Sequence, residues 1–205
     1  TTQGGTFTIQ ADDGIATLTV GGQSVIAGGV FTPVTFTTTL RNTLSITGFN
    51  PATGEVTYTY TLNGAETHDP GAGENSLFED FTVVLTDTDG TTATSTPSAN
   101  IVDDVPATGS EGNWFITEDS SGSIFSNALV GDVPGADGAV MTLVTIGGVS
   151  TAIAAAGTTT VVGPFGTYTF TASGDWTFDP HSGHANAAGA DASFSYVLTD
   201  SDGDT

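Results

Sequence analysis

Carboxylates are the only groups in this chain whose numbers and spacing could do chemistry. Asp87-Thr-Asp89-Gly90 and Asp200-Ser-Asp202-Gly203-Asp204 each crowd acids into one tight turn. Asp12-Asp13, Asp103-Asp104 and Glu118-Asp119 are adjacent pairs, and Asp132 and Asp137 bracket a Val-Pro-Gly-Ala loop. Against 23 acidic residues stands one basic residue, Arg41, for a formal net charge of -22. Two carboxylates held about 5 Å apart repel by roughly 3 kcal/mol at an effective dielectric near 20, whereas a domain's whole stability is about 5–15 kcal/mol. One arginine and no lysine cannot supply the salt-bridge partners. A hard divalent ion with six to eight oxygen ligands can, so the clusters point to calcium. The candidate ligands are Asp12, Asp13, Asp87, Asp89, Asp103, Asp104, Glu118, Asp119, Asp132, Asp137, Asp200, Asp202 and Asp204.

These turns are not EF-hands. A loop starting at Asp87 would need a bidentate acid eleven residues on, where Ser98 stands, and its flanks read as strands. Asp-Gly is also a common hairpin turn with no metal, so the weight rests on the repetition of the turn and the lack of cations. An enzymatic reading has less behind it. His181-Ser-Gly-His184 has a zinc-like spacing and His68-Asp69 an acid–base look, but both sit in Gly/Pro-rich loops without a third ligand and are expected to be solvated. Paired acids could hydrolyse glycosides across a cleft, yet acids in turns at strand ends suit a metal better. No nucleophile motif, phosphate loop or Schiff-base lysine is present, so the chain is read as a non-enzyme.

The elements that must hold these acids are strands. Thr6-Phe-Thr-Ile9, Thr57-Tyr-Thr-Tyr-Thr61, Thr167-Tyr-Thr-Phe-Thr171 and Trp176-Thr-Phe178 alternate polar with bulky residues, the period of a half-buried strand. Gly21-Gly22, Asn63-Gly64, Asp89-Gly90, Gly147-Gly148 and Asp202-Gly203 punctuate them with turns at sandwich spacing. Ala154-Ala-Ala156 and Ala185 to Ala192 are interrupted or flanked by glycine and read as loops. The expectation is all-β, with two tandem Ig-like antiparallel β-sandwiches.

Duplication sets the division. Phe81-Thr-Val-Val-Leu-Thr-Asp-Thr-Asp-Gly and Phe194-Ser-Tyr-Val-Leu-Thr-Asp-Ser-Asp-Gly match, with Asp87 and Asp200 lying 200 − 87 = 113 residues apart. Asp13-Gly14 and Gly21-Gly22 likewise match Asp137-Gly138 and Gly147-Gly148. Modules of 1–104 and 105–205 follow, with Asp103-Asp104-Val-Pro106 as an acidic linker. Glu111 to Val133 reads as an opening segment largely lacking before Asp12, and Thr91 to Val102 as a closing strand lacking after Thr205. The chain therefore reads as cut from a longer array, with neighbouring repeats, or identical copies end to end, able to complete each other by strand addition. In an Ig-like topology the acid turns would join the last two strands, and the second turn would face the linker acids.

Composition narrows the partners. Without a basic patch the chain should repel nucleic acid and anionic lipid, and no apolar run is long enough to span a bilayer as a helix. Without cysteine or lysine, neither a disulfide nor a lysine isopeptide bond can staple a module with a modest core, which leaves metal. This suits an extracellular location, where calcium is millimolar. Trp114, Trp176, Tyr58 and Tyr60 could stack on a surface carbohydrate, but aromatics at strand period usually line a core, and Trp176 with Phe178 reads as a buried pair.

Leu-Thr-Asp-Thr-Asp-Gly, followed by Ala-Asn-Ile-Val-Asp-Asp-Val-Pro and preceded by Asp69-Pro-Gly-Ala-Gly-Glu-Asn-Ser-Leu77, resembles the tandem repeats of large type I-secreted RTX adhesins of Gram-negative bacteria. Gly131-Asp-Val-Pro-Gly-Ala-Asp-Gly138 and Tyr196 to Asp204 look like a related repeat. The resemblance implies Ig-like modules that bind calcium in loops and linkers and serve as stiff extenders at the cell surface in biofilm adhesion. The chain departs from it at Thr91, where the second module has Asp204, so the first turn is expected to hold its ion more weakly. Its out-of-phase ends also keep open a filament or surface-layer subunit.

Overall fold

The computed structural model describes residues 1–114, 123–182 and 192–205, and among these there is no helix. The chain forms two compact units, Thr1–His68 with Ser76–Asp103, and Asp69–Asn75 with Asp104–Thr205. Every strand pairing is antiparallel.

The first unit contains β1 (Thr2–Thr8), β2 (Ile15–Val20), β3 (Gln23–Ala27), β4 (Val30–Phe31), β5 (Val34–Thr37), β6 (Thr43–Asn50), β7 (Glu55–Thr61), β8 (Ser76–Asp80), β9 (Val83–Asp87), β10 (Thr92–Ser95) and β11 (Ser98–Val102). They form a sheet β1-β7-β6-β5, a sheet β10-β9-β2-β3-β4 and a ribbon β11-β8. The period-2 alternation decides which face is inside. Along β7, Val56, Tyr58 and Tyr60 turn to the core and Thr57 and Thr59 turn away. Gly5 faces Tyr58, where a Cβ would stand 2.5 Å from the phenol oxygen, so only glycine leaves room for the ring. Leu18, Ile26, Ile46 and Val56, from both sheets, are wholly buried.

The expected closing strand, Thr91 to Val102, is two strands. Pro97 has no amide for a ladder, so β10 stops at Ser95 and β11 starts at Ser98, paired with β8 instead of β9. The acid turn after Asp87 therefore joins β9 to β10, and β11 still follows it. The ribbon is tied to the unit through Glu79, which is 3% exposed. Its Oε1 accepts from Thr39 Oγ1 at 2.9 Å and the Leu40 amide at 2.8 Å, and its Oε2 from the Tyr60 hydroxyl at 2.7 Å.

The second unit contains β12 (Ile124–Asn127), β13 (Ala139–Ile146), β14 (Val149–Ala152), β15 (Thr159–Val162), β16 (Gly166–Phe170), β17 (Asp175–Pro180) and β18 (Phe194–Asp200). They form β12-β17-β16-β15 and β14-β13-β18. The order repeats that of the first unit, with β12, β17, β16 and β15 standing where β1, β7, β6 and β5 stand, and β18, β13 and β14 where β9, β2 and β3 stand. The opening segment is thus not lacking from the first unit, because β1 is the counterpart of β12. The hairpins at Gly21-Gly22 and Gly147-Gly148 share positive φ at both residues (55° and 78°, 55° and 81°), the backbone a tight two-residue turn demands. The core packs Met141, Val144, Tyr168, Phe170, Trp176 and Phe178.

Aromatic rings mostly go inward. Trp176 and Phe178 are buried, and Tyr58 and Tyr60 pack on the first core. Trp114 is 54% exposed and meets Trp176 edge-on at 6.3 Å. Ala154 to Ala156 lie in a loop, whereas residues 185 to 191 fall outside the described residues. One histidine differs from expectation: His68 is 7% exposed, not solvated. The loop after β7 is drawn in by buried Asn42, whose Nδ2 donates to Glu66 Oε1 at 2.6 Å and whose Oδ1 accepts from the Asn63 amide at 2.9 Å, and His68 follows it inward. His181 is half-buried, its amide bonded to the Phe165 carbonyl, and His184 lies outside the described residues.

Candidate metal centre

The second acid turn is built by its own backbone. The Asp200 amide donates to the Asp204 carbonyl at 3.1 Å, and Asp200 Oδ1 accepts from the Gly203 and Asp204 amides at 3.0 and 2.7 Å. Gly203, with φ 101°, gives the left-handed step this requires. The loop before β13 is fastened alongside, since Asp137 Oδ2 accepts from the Ser201 amide at 3.1 Å and the Asp137 carbonyl from Ser201 Oγ at 2.8 Å. An oxygen from each of Asp137, Asp200 and Asp202 then lies within 4.8 Å of the other two. Oxygens around one calcium at about 2.4 Å stand no more than about 4.8 Å apart, so the grouping has the size of a coordination shell.

Asp137, Asp200 and Asp204 each use one carboxylate oxygen for structure and leave the other without a donor. Asp137 Oδ1, Asp200 Oδ2, Asp202 Oδ1 and Asp204 Oδ2 are buried and have no hydrogen-bond partner. Asp200 is 8% and Asp204 4% exposed. A buried unpaired carboxylate oxygen is costly, and buried charges are ordinarily paired or bound to metal. Burial, and then the neighbouring Asp202, push the Asp200 carboxyl above the usual carboxylate range. The donor set is oxygen only, without imidazole or thiolate, which suits calcium and not zinc.

The first turn gathers the counterparts Asp13, Asp87 and Asp89, again within 4.8 Å, but on the surface. The Thr88 amide donates to the Gly14 carbonyl and its hydroxyl to the Asp13 carbonyl. Thr91 occupies the place of Asp204. Its amide donates to Asp87 Oδ1 at 2.8 Å and Asp89 Oδ1 at 3.0 Å, and its hydroxyl to Asp89 Oδ1 at 2.8 Å. The contact between the two carboxyls raises Asp87 and lowers Asp89.

Of the remaining sequence candidates, Asp12 and Asp132 go elsewhere. Asp12 is exposed and outside the first group. Asp132 Oδ1 accepts from the Gly109 amide at 2.6 Å and its Oδ2 from the Tyr196 hydroxyl at 2.9 Å, so it fastens residues 107–109 to β18. Asp104 Oδ2 accepts from the Ala136 amide at 2.8 Å and converges with Asp137 Oδ1 on Gly135, where a Cβ would lie 3.1 and 3.6 Å from them. Asp103 is buried at the end of the first unit. Glu118 and Asp119 fall outside the described residues. Sequence reasoning missed Gly71 and Gly73, whose amides donate to the Asp202 carbonyl at 3.2 Å and Asp204 Oδ1 at 2.9 Å. Their one sequence signal was the glycine-rich run Asp-Pro-Gly-Ala-Gly. The chain matches no protein-family model, and no curated protein matches it.

Proposed function

We propose that the chain is a calcium-stabilised structural repeat, an extender of a secreted bacterial surface adhesin, in which the ion supplies the counter-charge that the sequence omits. The observation that carries this reading is the set of four buried, donorless carboxylate oxygens on Asp137, Asp200, Asp202 and Asp204. A cation there replaces mutual repulsion by shared coordination and fixes the β18 turn against the loop before β13. The adhesin role rests on the sequence resemblance, and extracellular calcium is abundant enough to fill such sites. The experiment is isothermal titration of the chelator-stripped chain with calcium alongside its thermal melt. Saturable binding with a higher melting temperature supports the reading, while no binding and an unchanged melt sink it.

A further inference from the structure

We propose that the segment Asp69–Asn75 is a wall of this cation site, with the Gly71 and Gly73 amides as positioning groups that aim Asp202 and Asp204 at the ion; this rests on the calcium reading above. The segment lies between β7 and β8 in sequence yet belongs to the second unit. It joins no ladder, and the Asn75 side-chain amide closes it on the Asp69 carbonyl at 3.0 Å. Gly71 and Gly73 take φ of 64° and 66°, a left-handed backbone that a side chain would strain, and both turn an amide to the acid turn.

Asp204 shows what this achieves. Gly73 holds its Oδ1, while its Oδ2 is buried without a partner. A carboxylate fixed by one oxygen offers the other in a single orientation, so less freedom is lost when the ion arrives. The Gly71 bond to the Asp202 carbonyl does the same for the turn backbone. In the first turn Thr91 stands where Asp204 stands, and its own amide and hydroxyl fill the Asp89 oxygen. The wall therefore makes the second site the tighter of the two.

The test uses the full chain and calcium alone. In the parent, calcium should raise hydrogen-exchange protection of amides 69–75. Gly73→Pro, which removes the donor and keeps every carboxylate, should weaken the tight calcium step about 5- to 30-fold and abolish that protection. Gly64→Ala, at a position with open space around it, serves as the control and should change neither. Calcium that binds without altering exchange at 69–75, or a Gly73→Pro chain of parental affinity, overturns the wall and leaves the calcium reading standing. The exchange result needs no variant, so a poorly folding Gly73→Pro does not shelter the proposal. A parent that binds no calcium removes the reading and the wall together.

Discussion

The amide of Asp204 donates to Oδ1 of Asp200 at 2.7 Å, while Oδ2 of each carboxylate is buried with no donor. One hydrogen bond thus fixes two acids in a fold that withholds water from their remaining oxygens. A hairpin needing only a turn would let these oxygens face solvent, at no cost in desolvation. Leaving them unpaired carries a desolvation cost that a proton or a metal ion would remove.

Calcium is therefore expected to raise stability. At one hundred times its dissociation constant a single ion adds about 2.7 kcal/mol, which for a unit of roughly one hundred residues is about 10–20 °C in melting temperature. Differential scanning calorimetry with calcium and then with excess chelator should show the upper transition appear and disappear reversibly. Magnesium should do less, because it demands a tight octahedron and gives up water reluctantly.

Asp200→Asn should change sign with the ion. The amide oxygen can still accept from Gly203 and Asp204, but the repulsion with Asp202 is gone. In chelator the variant should be more stable than the parent, by about 1–3 kcal/mol. In calcium it should lose at least tenfold in affinity, about 1.4 kcal/mol. Paired melts read both effects, and a variant less stable than its parent in chelator would contradict the charge argument.

The pH dependence follows from the same residue. The Asp200 carboxyl is raised in the folded chain, first by burial and then by Asp202. The folded state therefore holds its proton more tightly than the unfolded chain, whose carboxyl titrates near about 3.9. This contribution is fully present below that value and is lost as pH rises through the raised folded one. In chelator the parent should approach Asp200→Asn in stability as pH falls from 7 toward 4. In calcium the trend reverses, since protons and the ion compete for the same oxygens.

Much of this was legible in the sequence, and what was not has physical reasons. The alternation of β7 and the Gly-Gly turns announce themselves because period and positive φ are local properties. The doubled acid turn was legible because its four residues carry both the geometry and the charge. Asp132 looked equivalent to Asp137, and only the fold brings the Tyr196 hydroxyl and the Gly109 amide to it. The split of the closing strand was missed although Pro97 marks it, and the new partner of β11 depends on β8, about twenty residues earlier in sequence. Gly71 and Gly73 act through backbone amides, which every residue but proline has, so no side chain marked them.

Glu79 offers a test independent of metal. Burial opposes its charge, but the Leu40 amide and the Tyr60, Thr38 and Thr39 hydroxyls outweigh that and lower its pKa. A depressed carboxyl contributes stability that is present above the unfolded value and lost as pH falls through the folded one. Glu79→Gln weakens the charged acceptor and should cost the first unit about 2 kcal/mol, or roughly 10 °C. The loss should be the same with calcium or chelator, and it should vanish as pH falls through the lowered folded value.

Thr91→Asp supplies the acid that the first turn lacks. The parent Thr91 hydroxyl occupies Asp89 Oδ1, so an ion must displace it. An aspartate there removes that donor and adds a third turn carboxylate, as Asp204 does in the second unit. Calcium should then bind this turn about tenfold more tightly, a gain of about 1.4 kcal/mol, and titration should show the weaker step move toward the stronger. In chelator the same substitution should lower the melting temperature of the first unit, because it adds a negative charge to a cluster with no cation. A variant that stabilises the turn equally with and without calcium would show that the acids serve only the hairpin.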